Sequence, residues 1–573
     1  MRKQLLTFLL IGVGFLAAPH IVDADILGQK VTFFIDQQSD AEQRERISAT
    51  LQFIADDLYF YTEDSWWNSL DQDQRNGYIE KFRTLGVNFQ KEIYPTLTNL
   101  FGTENRPGID KDALITILIH PMKSKQVGGY VRSLDGHFKL EAPTSNEREM
   151  LYLSPESVVS TFAKSFLAHE FTHLIYFNQN PAAESIEGET WFAEGFAELA
   201  PTFVGYDAER GETYLKVRQA DFVANKTDSL TEWSKIADYG VVNIFFQYLK
   251  EQYGSQVLLE AFRSSQPGIL AVEEALEKNG IKKSFDQIFT NWTIALFLND
   301  CSYGKEYCFE REELSQLRVA PYTSILPTFG DSSLTITNQT KDWAGNWHKV
   351  TGRQGFLKIS FEGNPTAKFV LPYLLQKQSG SYELQFLPLS PDQKGEIQVK
   401  NFGKEYIALI IIPTVQTKRS AFTNSDPAYF FSWTASITGS ENASGSANTN
   451  AGQKIQELLR QIELLQAKVR ELQAQLTLLQ GTNPCSRFES DLFFGLQNNS
   501  QVRCLQQFLK SQGPAMYPEG LVTGNFLFFT KQAVINFQEK YASEILTPLG
   551  LSKGTGFVGQ MTRKKINEIL GYH

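Results

Sequence analysis

His169 and His173 stand four positions apart in the stretch AHEFTHLIYF, with Glu170 directly after the first. On a helix that spacing is one turn, so both imidazoles project from one face. Two imidazoles so placed can bind one zinc ion. Glu170 points slightly aside, where it can polarise a metal-bound water instead of serving as a ligand. By itself the motif also fits two hydrogen-bonded histidines on a core helix. A third ligand sharpens the reading, because catalytic zinc usually keeps three protein ligands and one open position. Downstream, TWFAEGFAELA carries Glu194 and Glu198 one turn apart in otherwise almost wholly apolar text. A carboxylate facing a core needs a partner, since burying an unpaired charge is costly. Glu194 as a metal ligand and Glu198 as acceptor for an imidazole N–H meets both needs. The alternative is an exposed acidic edge of a helix.

These residues must be positioned by the elements around them. VTFFI (31–35) and ALITILI (113–119) read as strands, with GGYV (128–131) and EMLYLS (149–154) as sheet neighbours. Between the first two, AEQRERISATLQFIADDLYFY reads as helical. Helices are expected over 157–177, 190–200, 240–253, 256–264 and 285–298. From about 328 to 437, apolar runs such as GFLKISF, SYELQFLPL and EYIALIII alternate with Gly, Pro, Asn and Asp turns, the spacing of a β-sandwich. The fold class read from this is multidomain: an α+β catalytic domain, an all-β sandwich, a coiled-coil helix and a small all-α module.

HEFTH followed by WFAEGFAE resembles the gluzincin metallopeptidases. EIYPTLTNLFGTENRPGIDKDALITIL, GGY, SNEREMLYL and DYGVVNIFFQYLKEQYG extend the likeness to the hyicolysin-like neutral zinc metallopeptidases of bacteria, over roughly residues 27–300. The resemblance implies a zincin fold, with zinc (Zn2+) as cofactor, His169, His173 and Glu194 as ligands, Glu170 as general base and a protein or peptide as substrate. Tyr239, opening the helix after KIADYG, is by analogy the candidate donor to the oxyanion, with a core tyrosine as the alternative. In zincins the edge strand above the active-site helix pairs with an extended substrate, and GGYV is the candidate for it or its flank. Glu104, Asp110 and Asp112 form a small acidic group suited either to calcium or to an ordinary acidic turn. His120, His137, His348 and His573 have no ligand partner at useful spacing and read as structural or surface residues.

The tail divides further. A polar linker, 438–451, runs into a heptad segment, 452–480. Ile455, Ile462, Val469 and Leu476 share one position of it; Leu458, Leu465, Leu472 and Leu479 share the other. The pattern suggests a parallel two-stranded coiled coil and hence a homodimer; a lone amphipathic spacer helix is the alternative. In 485–573 an internal repeat places Thr523-Gly524 before Thr530 and Thr555-Gly556 before Thr562. SQVRCLQQFLK with GLVTGNFLFFTKQAVINFQEKY resembles the peptidoglycan-binding type 1 domain, although Leu527 and Phe528 stand where that family has glycine and proline. The resemblance implies peptidoglycan as a partner, with linker and coiled coil acting as a stalk.

Chain-wide properties agree with an exported enzyme. Residues 1–24 read as a signal peptide: Arg2 and Lys3, an apolar run from Leu5 to Ala18, then Val22-Asp23-Ala24. The expected location is secreted, extracellular or associated with the cell wall. At 573 residues the chain is long enough for several domains, here bounded as 25–325 for the catalytic domain and 326–437 for the sandwich. A net charge of -10 argues against a general nucleic-acid binder. Four cysteines in two local pairs, Cys301 with Cys308 and Cys485 with Cys504, suit two disulfides or four buried thiols. The function these features support is a secreted zinc-dependent metalloendopeptidase. Its rivals are a peptidase of peptidoglycan cross-links and a non-catalytic wall adhesin.

Overall fold

The structure, a computed structural model, describes residues 24–124, 128–180, 189–208, 213–327, 331–423, 426–439, 487–496, 499–513, 516–517, 520, 522–526 and 528–572. The expected signal peptide, coiled coil and most of the linker lie outside the described residues, as does Cys485. The chain is multidomain, with helices and mixed sheets.

The first sheet contains β1 (Lys30–Phe34), β2 (Arg46–Ile54), β3 (Leu58–Glu63), β4 (Ile115–Ile119), β5 (Gly129–Tyr130) and β6 (Met150–Leu153). Its order is β1-β2-β3-β4-β6-β5. β3, β4 and β6 are parallel; β1, β2 and the edge strand β5 run antiparallel to their neighbours. All five residues of β4 are buried, as expected of a central parallel strand covered on both faces. Leu58, Phe60, Ile117 and Leu151 join the large helical core, whereas Tyr59, Tyr61, Leu118 and Tyr152 join a smaller core on the other face.

The helical expectation for residues 41–61 is overturned: β2 and β3 occupy most of that segment. Ile47, Ala49 and Leu51 are buried in alternation, the period of a strand. The charges just before β2 are drawn inward. Arg44 pairs with buried Asp40 at 2.7 Å and with buried Glu63.

The helices that follow are α1 (Gln72–Asn88), α2 (Tyr94–Phe101), α3 (Ala163–Gln179), α4 (Thr190–Val204), α5 (Tyr214–Ala224), α6 (Asp238–Phe262), α7 (Gly268–Lys278) and α8 (Phe285–Leu298). α6 is broken at Gly254, whose φ of 82° matches the division expected between two helices there. Phe101, Tyr176, Phe196 and Phe262 interlock at ring separations of 4.5–6.3 Å and bind α2, α3, α4 and α6 into one core.

From Tyr322 to Thr438 the chain forms a nine-stranded sheet folded upon itself. Leu357, Ile359 and Trp433 from one layer share a core with Val350, Leu409 and Ile411 from the other. The outer face of the second layer, through Leu374, Ala408 and Ile410, packs on the helical domain.

The C-terminal region contains helices α9 (Ser500–Ser511), α10 (Phe528–Lys540) and α11 (Gln560–Ile569). The internal repeat has a structural cause. Gln506 accepts from Thr523 N and Gly524 N at 2.8 Å and donates to Thr530 Oγ1; Gln538 does the same for Thr555, Gly556 and Thr562. Each turn is gripped by a buried amide on the preceding helix. This region packs directly on the first domain; the residues of the expected stalk lie almost wholly outside those described. Cys301 and Cys308 form a disulfide; Cys504 is also disulfide-bonded. Among the described residues no helix is long and apolar enough to cross a membrane.

Candidate metal centre

α3 carries His169, Glu170 and His173, all buried, while α4 crosses it with Glu194 and Glu198. The close approach of α4 to α6 requires a residue without a side chain at Gly195, where a Cβ would lie 2.2 Å from the Phe246 ring. That approach sets the depth at which Glu194 meets the histidines.

His169 Nε2 and His173 Nε2 are 3.3 Å apart. Glu194 Oε2 lies 3.2 Å from the first and 3.5 Å from the second. A tetrahedral ion with bonds near 2.05 Å separates its ligand atoms by about 3.3–3.4 Å. The three atoms therefore already form one face of such a tetrahedron. Glu194 Oε2 is buried and has no hydrogen bond of normal geometry, so a donor set is assembled without an internal partner. Among the described residues this is the one group of three ligand atoms that could hold a metal.

The charges around the site are arranged in pairs. Glu194 is largely covered, yet the two imidazoles outweigh the desolvation and hold its carboxyl far below the ordinary range. Glu198 faces His169 Nδ1 at 3.4 Å and is held down to about 2. Burial raises it, but the charge of Arg218 and the nearby His169 imidazole prevail. Glu170 behaves oppositely: burial pushes it up to about 7, offset in part by the histidines.

Glu198 is the hub of a network that sequence reading did not anticipate. It accepts from Tyr214 Oη at 2.7 Å, Arg218 Nε at 2.9 Å, Arg218 Nη2 at 3.1 Å and Asn243 Nδ2 at 3.0 Å. Tyr214 and Arg218 lie on α5, a helix absent from the expectations. Their i, i+4 spacing was the available signal.

Tyr239 opens α6 with its ring centroid 6.0 Å from that of His169, between Trp233 and the Arg218 guanidinium. Among the described residues its hydroxyl makes no hydrogen bond. Burial, then the charges of Glu194 and Glu170, raise its pKa well above normal, so the phenol keeps its proton. The edge strand β5 passes directly over the general-base candidate. A Cβ on Gly129 would come within 2.9 Å of Glu170 Oε1.

The remaining candidates fall outside this centre. Asp112 accepts from Tyr59 Oη and Leu114 N, and Asp110 from Asp112 N, the pattern of an acidic turn. Glu104 pairs with Arg106 at 3.5 Å. His120 lies between Asp40, at 3.3 Å, and the hydroxyl of Tyr130, at 3.0 Å, and braces the edge strand.

No protein-family model and no curated protein sequence matches the chain. Likenesses to solved structures are faint. The pre-peptidase C-terminal domain of a collagenase from Bacillus anthracis is 7% identical, with 20% of this chain and 96% of that domain covered and a TM-score of 0.15. A functionally unknown conserved protein from Bacillus anthracis str. Ames is 9% identical, with 64% and 72% covered and a TM-score of 0.25. The IMPa metallopeptidase from Pseudomonas aeruginosa is 9% identical, with 71% and 50% covered and a TM-score of 0.12. Likenesses this weak carry no argument about this chain.

Proposed function

We propose that the chain is a secreted, zinc-dependent metalloendopeptidase of the gluzincin type, hydrolysing peptide bonds in protein substrates. The observation that carries this reading is the triangle of 3.2, 3.3 and 3.5 Å formed by Glu194 Oε2, His169 Nε2 and His173 Nε2. Its edges match a tetrahedral ion, and two imidazoles with one carboxylate suit zinc.

When bound there, zinc would supply Lewis acidity toward a scissile carbonyl and water. The chain supplies the rest. Glu170, with a pKa near 7, is poised to take the proton of the attacking water and deliver it to the departing amine. Tyr239, protonated and without a hydrogen-bond partner among the described residues, is available to donate to the developing oxyanion. Glu198 acts as a positioning residue, orienting the His169 imidazole through Nδ1 while Arg218 holds its charge. β5 offers its outer backbone edge to an extended peptide, and Gly129 leaves room for Glu170 beneath it. The C-terminal module is proposed to bind peptidoglycan and keep the enzyme at the cell wall.

The test is metal analysis of the purified chain with a casein-cleavage assay. One zinc per chain and chelator-sensitive cleavage are expected. Glu170→Gln should abolish cleavage while the zinc content stays. Wild-type protein loaded with zinc that cleaves no protein would refute the reading, and release of muropeptides from sacculi would redirect it to peptidoglycan cross-links.

A further inference from the structure

The C-terminal module shares a hydrophobic core with a loop of the first domain. Ala142 is fully buried within the module's core, beside Leu134, which lies where a side chain on Gly495 would meet it at 2.4 Å. Phe494 N donates to Glu141 O at 3.0 Å, and the Phe494 ring lies 4.2 Å from that of His137. Lys531 Nζ reaches the Glu141 carboxylate at 2.5 Å, with both side chains largely covered. The loop is rooted from beneath. Asp135, fully buried, accepts from Asn146 N at 3.0 Å and from Arg132 at 3.2 Å.

The contact reaches the metal helix. Lys531 lines a cavity of about 220 Å³ together with Arg132, His137, Leu174 and Phe177. Phe177 stacks on His173, ring centroids 6.3 Å apart. The module thus places Lys531 at a cavity that ends a single ring away from His173.

We propose that the 133–142 loop is a docking surface for the chain's own C-terminal module, and that the docked module restricts access to the cleft beside the metal helix. Docking stands on the contacts alone; the restriction of access rests on the peptidase reading. An apolar centre under a rim carrying one ion pair suits an interface between domains that can separate. Whatever binds the released module more tightly than the docked one then opens the cleft by mass action.

Charge reversal tests this in the zinc-loaded full chain. Lys531→Glu and Glu141→Lys each place like charges together, and the double variant restores the pair. Hydrogen exchange of amides 133–142 and 493–496 should quicken about tenfold or more in each single variant and return toward wild type in the double. Cleavage of casein, a full-length protein chain, should rise several-fold in the singles, with a smaller change for a short peptide. Unchanged exchange in both singles overturns docking. Quickened exchange without a gain in casein cleavage overturns the access claim. Wild type that cleaves neither substrate refutes the peptidase reading instead, and the exchange data still decide docking.

Discussion

Replacing Glu198 with alanine should damage the protein in two separable ways. Glu198 is 1% exposed and Arg218 8%, and the carboxylate receives two guanidinium hydrogen bonds, one from Tyr214 and one from Asn243. Removing it leaves the buried Arg218 cation with only the more exposed Asp221, at 3.2 Å, to oppose it. Breaking such a pair costs about 3–5 kcal/mol. The same change removes the carboxylate that faces His169 Nδ1 at 3.4 Å, and loss of such an outer partner typically weakens metal affinity by about 10–100-fold. The double variant Glu198→Leu/Arg218→Met separates the effects. Apolar replacement of both charges should recover stability to within about 2 kcal/mol of wild type, because no buried cation is left short of its main counter-charge. Metal affinity should stay low, because the imidazole is still unoriented. Urea unfolding of the metal-free chain, followed through the buried core tryptophans, reads the first effect; competition titration with a zinc indicator reads the second. A loss below about 1 kcal/mol in Glu198→Ala would refute the buried-charge argument. Recovery of metal affinity in the double variant would refute the orienting role.

Other substitutions and conditions probe the remaining geometry. Gly129→Ala would place a methyl group 2.5 Å from Tyr152 O and 2.9 Å from Glu170. Displacing the carboxylate by about 1 Å should lower kcat on the order of 100-fold, with zinc content unchanged by metal analysis. Zinc at 100 times its Kd should stabilise the chain by about 2.7 kcal/mol; calorimetry should find that gain lost in Glu194→Ala. Glu149, buried and beside Asp110, is raised from 4.5 to about 7, first by burial and then by that neighbour. Folding therefore favours its protonated form: the contribution is intact below about pH 4.5 and is lost as pH rises through 7, by at most about 3 kcal/mol. Melting curves at pH 5 and pH 8 should show a smaller loss in Glu149→Gln than in wild type.

The part of the centre contained within one turn of helix was legible in the sequence. His169, Glu170 and His173 face as they do because helical periodicity places side chains four apart together. The run 285–298 was read as a helix and coincides with α8. For residues 41–61 the helical reading failed: the strand period of Ile47, Ala49 and Leu51 outweighed the helical composition of the same segment, and Arg44 sits among buried acids.

By itself the sequence determined which residues could act as ligands, base and acceptor, since residue chemistry and local spacing are properties of the chain alone. Whether Glu194 reached both imidazoles was decided by the packing of α3, α4 and α6, down to the absence of a side chain at Gly195. The partners of Glu198 on α5 and α6, and the seating of Lys531 on Glu141 almost four hundred residues away, were likewise decided only in the folded protein. Such contacts join positions that no local period relates. They exist because burying apolar surface brings distant segments together and every charge carried inside must then find a counterpart.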